Sequence, residues 1–183
     1  STGSAINVVH AIGSRGGFYA FKADGVLIMW ESGSFYFLNT TNSNIAAIYA
    51  TQLSGTALKR DGTLLSFGDR DNGANGLRYW SDISNGWISI DATNIVDVYT
   101  GGECMAALKT NGSLVTWGQS GGNSESVSSF LSSNIVAAYP ASDGKIHSAM
   151  LALNNNGEVK AWGRHDRGGV IHTSITSEVS SGI

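Results

Sequence analysis

The sequence predicts an all-β fold: a β-propeller, or an open propeller arc, of four countable blades, each a three- to four-stranded antiparallel sheet. Three observations predict it. One hexapeptide type recurs as Ala20-Phe21-Lys22-Ala23-Asp24-Gly25, Ala57-Leu58-Lys59-Arg60-Asp61-Gly62, Ala107-Leu108-Lys109-Thr110-Asn111-Gly112 and Ala152-Leu153-Asn154-Asn155-Asn156-Gly157. An aromatic stands five residues after each of those glycines, at Trp30, Phe67, Trp117 and Trp162. A β-branched segment precedes each hexapeptide: Ile6-Asn7-Val8-Val9-His10, Ile45-Ala46-Ala47-Ile48-Tyr49, Ile95-Val96-Asp97-Val98-Tyr99 and Ile135-Val136-Ala137-Ala138-Tyr139. The glycines lie 37, 50 and 45 residues apart and the aromatics keep the same intervals, which marks an internal repeat.

Each element follows in order. The β-branched segment reads as a first strand. The Asp-Gly or Asn-Gly pair, flanked by short apolar runs, predicts a hairpin with a type I′ turn, because Asn, Asp and Gly best tolerate positive φ at both central positions. A polar stretch rich in Ser, Asn and Gly then leads to the next unit. No window keeps apolar residues at i, i+3, i+4 and i+7, so little helix is expected. A sheet this small cannot cover its own apolar faces and must lean on the sheets before and after it. All-strand repeats of this length fit blades stacked radially around an axis, with the repeated aromatic filling the wedge between blades. The blades of this single repeat domain, 1–183, are expected near 5–43, 44–93, 94–133 and 134–183.

Composition narrows the function. The 183 residues are 42% hydrophobic and 14% charged, with a formal charge of −3, and the 11 Lys and Arg provide no basic footprint for nucleic acid. No apolar run reaches the length of a membrane span. The single Cys104 excludes an intrachain disulfide framework and a Cys-rich metal site. The four histidines, His10, His147, His165 and His172, have no zinc spacing. No cofactor is expected, and no metal.

The run Ala107 to Gly118, and again Ala152 to Gly163, has the form Ala-Leu-Lys/Asn-x-Asn-Gly-x-Leu/Val-x-x-Trp-Gly, preceded by an Ile-led strand. This resembles the regulator of chromosome condensation repeat over essentially the whole chain. In repeat length it is closest to the propeller-type β-lactamase inhibitor proteins and related secreted proteins. The resemblance implies a propeller fold and leaves function wide, since that family spans exchange factors, light sensors and enzyme inhibitors. The chain departs from the pattern at Glu31, where later repeats have Gly68, Gly118 and Gly163, and at Phe67 in place of Trp. The family usually closes about seven blades. Ser180-Ser181-Gly182-Ile183 repeats the phase of Ser132-Ser133-Asn134-Ile135. Three arrangements therefore stay open: a closed four-bladed ring, a fragment of a longer chain, or an arc completed by another copy.

No catalytic residue is assigned. Gly118-Gln119-Ser120-Gly121-Gly122 matches a nucleophile elbow, but that motif needs a strand-to-helix turn and a partnering His, and here a Ser/Asn-rich loop follows. Asp69-Arg70-Asp71-Asn72-Gly73 lacks the terminal Glu of a calcium loop. Binding residues are expected in two places. The loops after each Trp-Gly or Phe-Gly should share one face, and there Asp69, Arg70, Arg164, His165 and Arg167 differ between repeats. Phe35, Tyr36, Phe37, Tyr79, Trp80 and Trp87 are aromatics the repeat does not require, and such residues supply large rigid contact area at small entropic cost. These features point to a non-catalytic interaction module whose partner is another protein or its own copies. A lectin-like propeller that stacks a glycan on Trp80, Trp87 or Tyr36 is one alternative, and a secreted enzyme inhibitor is another. Few Lys, much Ser, Thr, Asn and Gly, and an Asn39-Thr40-Thr41 glycosylation pattern favour an extracellular or cell-surface location.

Overall fold

The computed structural model describes residues 7–15, 17–31, 34–38, 44–68, 77–81, 86–118, 123–142 and 148–169. Among these there are fifteen strands in four sheets, and the only helical pieces are short 3₁₀ turns such as His165–Arg167. The first sheet is β1 (Val8–Gly13), β2 (Gly17–Lys22), β3 (Leu27–Glu31) and β4 (Ser34–Leu38), in that order. The second is β5 (Ile45–Ala50), β6 (Ser54–Lys59) and β7 (Leu64–Gly68). The third has β10 (Ile95–Gly101), β11 (Cys104–Lys109) and β12 (Leu114–Gly118), and the fourth β13 (Ile135–Ser142), β14 (Ser148–Asn154) and β15 (Val159–Gly163). A further hairpin, β8 (Arg78–Ser81) with β9 (Gly86–Ser89), joins the outer edge of the third sheet, β8 pairing parallel to β12 at Tyr79 and Gly118. The expected three to four antiparallel strands thus become five in this sheet, with one parallel contact. The 50-residue interval between Gly62 and Gly112, the longest of the three, supplies the extra chain.

The hairpin turns differ from the expected type I′. In all four, the residue before the turn exchanges two hydrogen bonds around a three-residue loop, as in Gly25 N to Lys22 O at 2.8 Å and Lys22 N to Val26 O at 3.0 Å. Only the glycines, at φ 82°, 78°, 78° and 81° for Gly25, Gly62, Gly112 and Gly157, take positive φ. This is a type I turn closed by a left-handed glycine bulge. The Asp or Asn before the glycine has another use: Oδ1 of Asp24, Asp61 and Asn111 accepts from the backbone N–H two residues on, at 3.1, 2.9 and 3.0 Å. Hydrogen bonds of this kind, from Val26 N–H to Asp24 and from the Thr63 hydroxyl and N–H to Asp61, hold both carboxyls below their ordinary range.

Each first strand carries a bulge at its second residue, and this corrects the repeat phase of the first unit. Val8 pairs with Lys22 as Ile45 pairs with Lys59 and Ile95 with Lys109. Val8 is therefore the counterpart of Ile45, not Ile6, which lies outside the described residues. The shared mark is the Asn before it. Asn7, Asn94 and Asn134 sit in the left-handed region at φ 60°, 58° and 62°, which Asn tolerates. Asn7, Asn44, Asn94 and Asn134 each accept, through O, from the backbone N–H that opens their own sheet's turn, at 2.8 to 2.9 Å.

The core lies between the sheets. Tyr19, Phe21 and Leu27 of the first sheet meet Ile45, Ile48 and Phe67 of the second. Leu58 and Leu64 of the second meet Ile95, Val98, Met105 and Trp117 of the third. Cys104, Ala106 and Leu114 of the third meet Ile135, Ala138, Met150 and Trp162 of the fourth. Phe67, Trp117 and Trp162 thus occupy equivalent places on the third strands of successive sheets, each wedged against the sheet before it. Burying one such side chain stabilises by about 1.5–3 kcal/mol, so these three contribute much of the cohesion between blades.

Burial pushes the Cys104 thiol from its ordinary 9.0 up to about 12. Burial, with the Asp97 charge second, pushes the Tyr99 phenol from 10.0 up to about 12. Both groups favour their neutral forms when folded, so this stabilisation is complete below about pH 9 and drains away as pH rises toward about 12. The urea midpoint should therefore hold steady up to about pH 9 and fall above it, and native Cys104 should resist iodoacetamide until urea unfolds the chain. Fast alkylation of the native protein would contradict the buried thiol.

Candidate interaction surface

The third strands all finish at the same end of their sheets. Their last residues Glu31, Gly68, Gly118 and Gly163 pair with the first residues of the second strands, or in the fourth sheet with the second residue, at Gly17, Ser54, Cys104 and Ala149. The turns between first and second strands lie at the same end and are tied sheet to sheet. Arg15 N donates to Gln52 O and Gln52 N to Gly102 O, both at 3.0 Å. Beneath them is a buried polar chain that the sequence does not predict. Glu103, fully buried, accepts through Oε2 from Thr51 Oγ1 at 3.2 Å and Ser54 Oγ at 3.4 Å. Its backbone N–H donates to Ser148 Oγ at 3.2 Å, and that hydroxyl donates to Gly101 O at 3.2 Å. Sheets two, three and four are thereby pinned together under the rim. Nothing local marks Glu103 as buried, since exposed glutamates in turns are common.

Gly118 and Gly163 turn the chain out of its sheet with φ of 95° and 102°. Glu31 has no such need because β3 continues into an antiparallel partner, Glu31 opposite Ser34. After Gly163, Arg164 leads into the 3₁₀ turn His165–Arg167, so Arg164, His165 and Arg167 share one short structure. Arg164 Nε and Nη2 donate to Oδ1 and Oδ2 of Asp166, both at 2.8 Å. Arg164 N donates to Ser148 O at 3.0 Å and Gly169 N to Arg164 O at 2.9 Å. This two-point pairing fixes an exposed guanidinium in one direction, although an exposed pair adds little to stability, about 0–1 kcal/mol. Asp166 is a rim residue that sequence reasoning passes over. Its signal is an acid two residues after an Arg.

Trp80 and Trp87 come together as directly opposed residues of the β8–β9 hairpin, with Tyr79 opposite Ile88 and beside the exit of β12. Phe35, Tyr36 and Phe37 lie on β4, the outer strand of the first sheet, opposite Trp30, Met29 and Ile28. They belong to a different sheet from the tryptophan hairpin. Asp69 and Arg70 lie outside the described residues, as do Ser120 of the elbow-like motif and Asn39. Among the described residues no three His, Cys, Asp or Glu side chains stand close enough to hold a metal ion. No helix among them is long and apolar enough to cross a membrane.

Comparison with solved structures bears on the fold. Yeast RCC1 (Prp20), solved bound to Kap60, superposes with a TM-score of 0.58 at 17% identity, covering 87% of this chain and 42% of its own. The chain shares the propeller-type fold of this structure. A second structure of Prp20p, from Saccharomyces cerevisiae, gives 0.58 at 18% identity, over 87% of this chain and 44% of that one. Human WBSCR16 gives 0.54 at 16% identity, over 88% and 48%. The chain thus spans less than half the length of each of these three solved chains. No family model matches it, and no curated protein matches it in sequence.

Proposed function

We propose that this propeller-type chain is a non-catalytic interaction module, acting outside the cell, that binds a protein partner through the rim at the exits of its third strands. One observation carries the reading: the repeats agree in their core and turn positions yet differ at these exits, where a braced turn presents Arg164 and His165. Rigid, unlike side chains on a repeated scaffold are how repeat proteins make a specific surface. Yeast RCC1 (Prp20), which shares this fold, was solved with Kap60 bound, and lends the reading support by analogy. The immobilised chain should retain a protein from the source organism's secreted fraction. Arg164→Ala should cut that retention at least about tenfold, the loss typical of a central arginine contact. Retention that survives Arg164→Ala, or falls equally with Asp61→Ala at the opposite end of the sheets, would overturn it.

A second reading, glycan binding, is favoured by the placement of Trp80 opposite Trp87. Glycan-array binding abolished by Trp80→Ala and Trp87→Ala would establish it, and an array without signal would remove it.

A further inference from the structure

Every interior interface joins the trailing face of one sheet to the leading face of the next, and each face uses the same positions. On the leading face these are the first residue of the first strand, the residue three further on, and the second-strand residue opposite the aromatic. In the later sheets they are buried: Ile45 is 4% exposed, Ile95 5% and Ile135 3%, while Met105 and Met150 opposite their tryptophans are 0% and 1% exposed. In the second sheet Gly55 stands there, and the Phe67 ring fills the space a side chain would take. In the first sheet the same positions hold apolar residues that lie open: Val8 is 39% exposed, Phe18, opposite Trp30, is 61% exposed, and Ala11 is exposed. Ala20 and Ile28 of that sheet are covered, so the opening is a strip rather than the whole face.

The fourth sheet shows the converse. Tyr139 is the counterpart of Tyr49 and Tyr99, which pack onto the sheets that follow theirs. Tyr139 is 55% exposed and joins none of the core clusters among the described residues. Beside it Leu151, the counterpart of the fully buried Ala106, is only partly buried. The three core clusters of the described residues join sheets one to two, two to three and three to four.

From these faces we infer that a second copy of the chain docks head to tail, the trailing face of its fourth sheet seated on the leading face of the first sheet. The occupant follows from complementarity, because the exposed strip at Val8, Ala11 and Phe18 and the exposed Tyr139 hold positions that meet each other in the interfaces the chain already makes three times internally. The contact is heterologous, so one copy offers Phe18 where the other offers Tyr139, and two copies that close on each other leave neither face open. The inference rests on the fold and not on the rim, so Arg164→Ala should leave the assembly intact whatever its effect on a partner.

Native mass spectrometry and light scattering of the full chain should give an assembly of at least twice the 19.1 kDa chain mass. Phe18→Asp and Tyr139→Asp, both at exposed positions, should each reduce it to single chains with an unchanged circular dichroism spectrum. Mixing the two variants should restore a two-chain species, because the unaltered fourth sheet of one meets the unaltered first sheet of the other. A wild-type chain that is a stable monomer, as when its own remaining residues cover these faces, overturns the inference. So does an assembly indifferent to both substitutions, or variants that fail to complement.

Discussion

Trp117→Ala is expected to destabilise the protein by about 3–5 kcal/mol, the cost of emptying a fully buried aromatic site that its neighbours cannot close. Trp117 is wholly inaccessible, wedged on β12 against Leu58 and Leu64 of the preceding sheet. Its removal opens a cavity at the middle of three interfaces, and sheets two and three lose their largest shared contact. Trp162→Ala should cost nearly as much, since Trp162 is the same wedge one blade on. Trp117→Phe should be far milder. The Trp117 Nε1 is buried without a hydrogen-bond partner, so a phenyl ring forfeits volume but no polar contact. Phe67 already serves at the equivalent place. Urea unfolding followed by circular dichroism measures all three. If Trp117→Ala shifted stability by less than about 1 kcal/mol, the aromatic would not be the wedge described here.

Gly118→Ala should cost about 2–4 kcal/mol, which is more than the left-handed backbone penalty of about 1–2 kcal/mol explains. That penalty falls on any side chain at φ 95°. A Cβ at this site would also collide with the carbonyl oxygen of Glu103 and press on Cys104 Cα at 3.0 Å, and both belong to backbone that cannot step aside. The damage would reach the buried chain of Glu103, Thr51, Ser54 and Ser148 that pins three sheets together. Gly168→Ala separates the two effects. Gly168 has nearly the same φ, 87°, but a methyl group there would meet nothing within 4 Å. Only the conformational penalty of about 1–2 kcal/mol should therefore appear. Equal losses from the two substitutions would show that crowding beneath the rim contributes nothing.

Much of the fold is readable in the sequence because its signals are local. The Asp-Gly and Asn-Gly pairs end one strand and begin the next whatever the rest of the chain does, and the aromatic five residues on keeps one side of its strand. What is not readable depends on partners further away. The turn is type I with a glycine bulge because Lys22 N reaches Val26 O, a closure distance that residue identity does not reveal. The first repeat begins two residues later than residue type suggests, because Ile6 matches Ile45 in kind, whereas hydrogen-bond register assigns that place to Val8. The candidate surface divides in the same way. Arg164, His165 and Arg167 are legible as a local loop, but their brace, Asp166, and the buried Glu103 are not. Tyr79, Trp80 and Trp87 stand out as surplus aromatics, while the alignment of Trp80 with Trp87 on the edge of the third sheet needs the long-range pairing of Tyr79 with Gly118.

Repetition in the chain, by itself, determined that this protein is a row of small hairpin sheets with an aromatic at each joint, since hairpin closure and strand alternation are decided within a few residues. Only the tertiary structure decided which copies of an equivalent position are buried. Val8 and Ile45 hold the same place in their sheets, yet Val8 is exposed and Ile45 is buried against the sheet before it. Solvent access belongs to the neighbour and not to the residue, so the exposure of Val8, Phe18 and Tyr139 became visible only when the sheets were stacked.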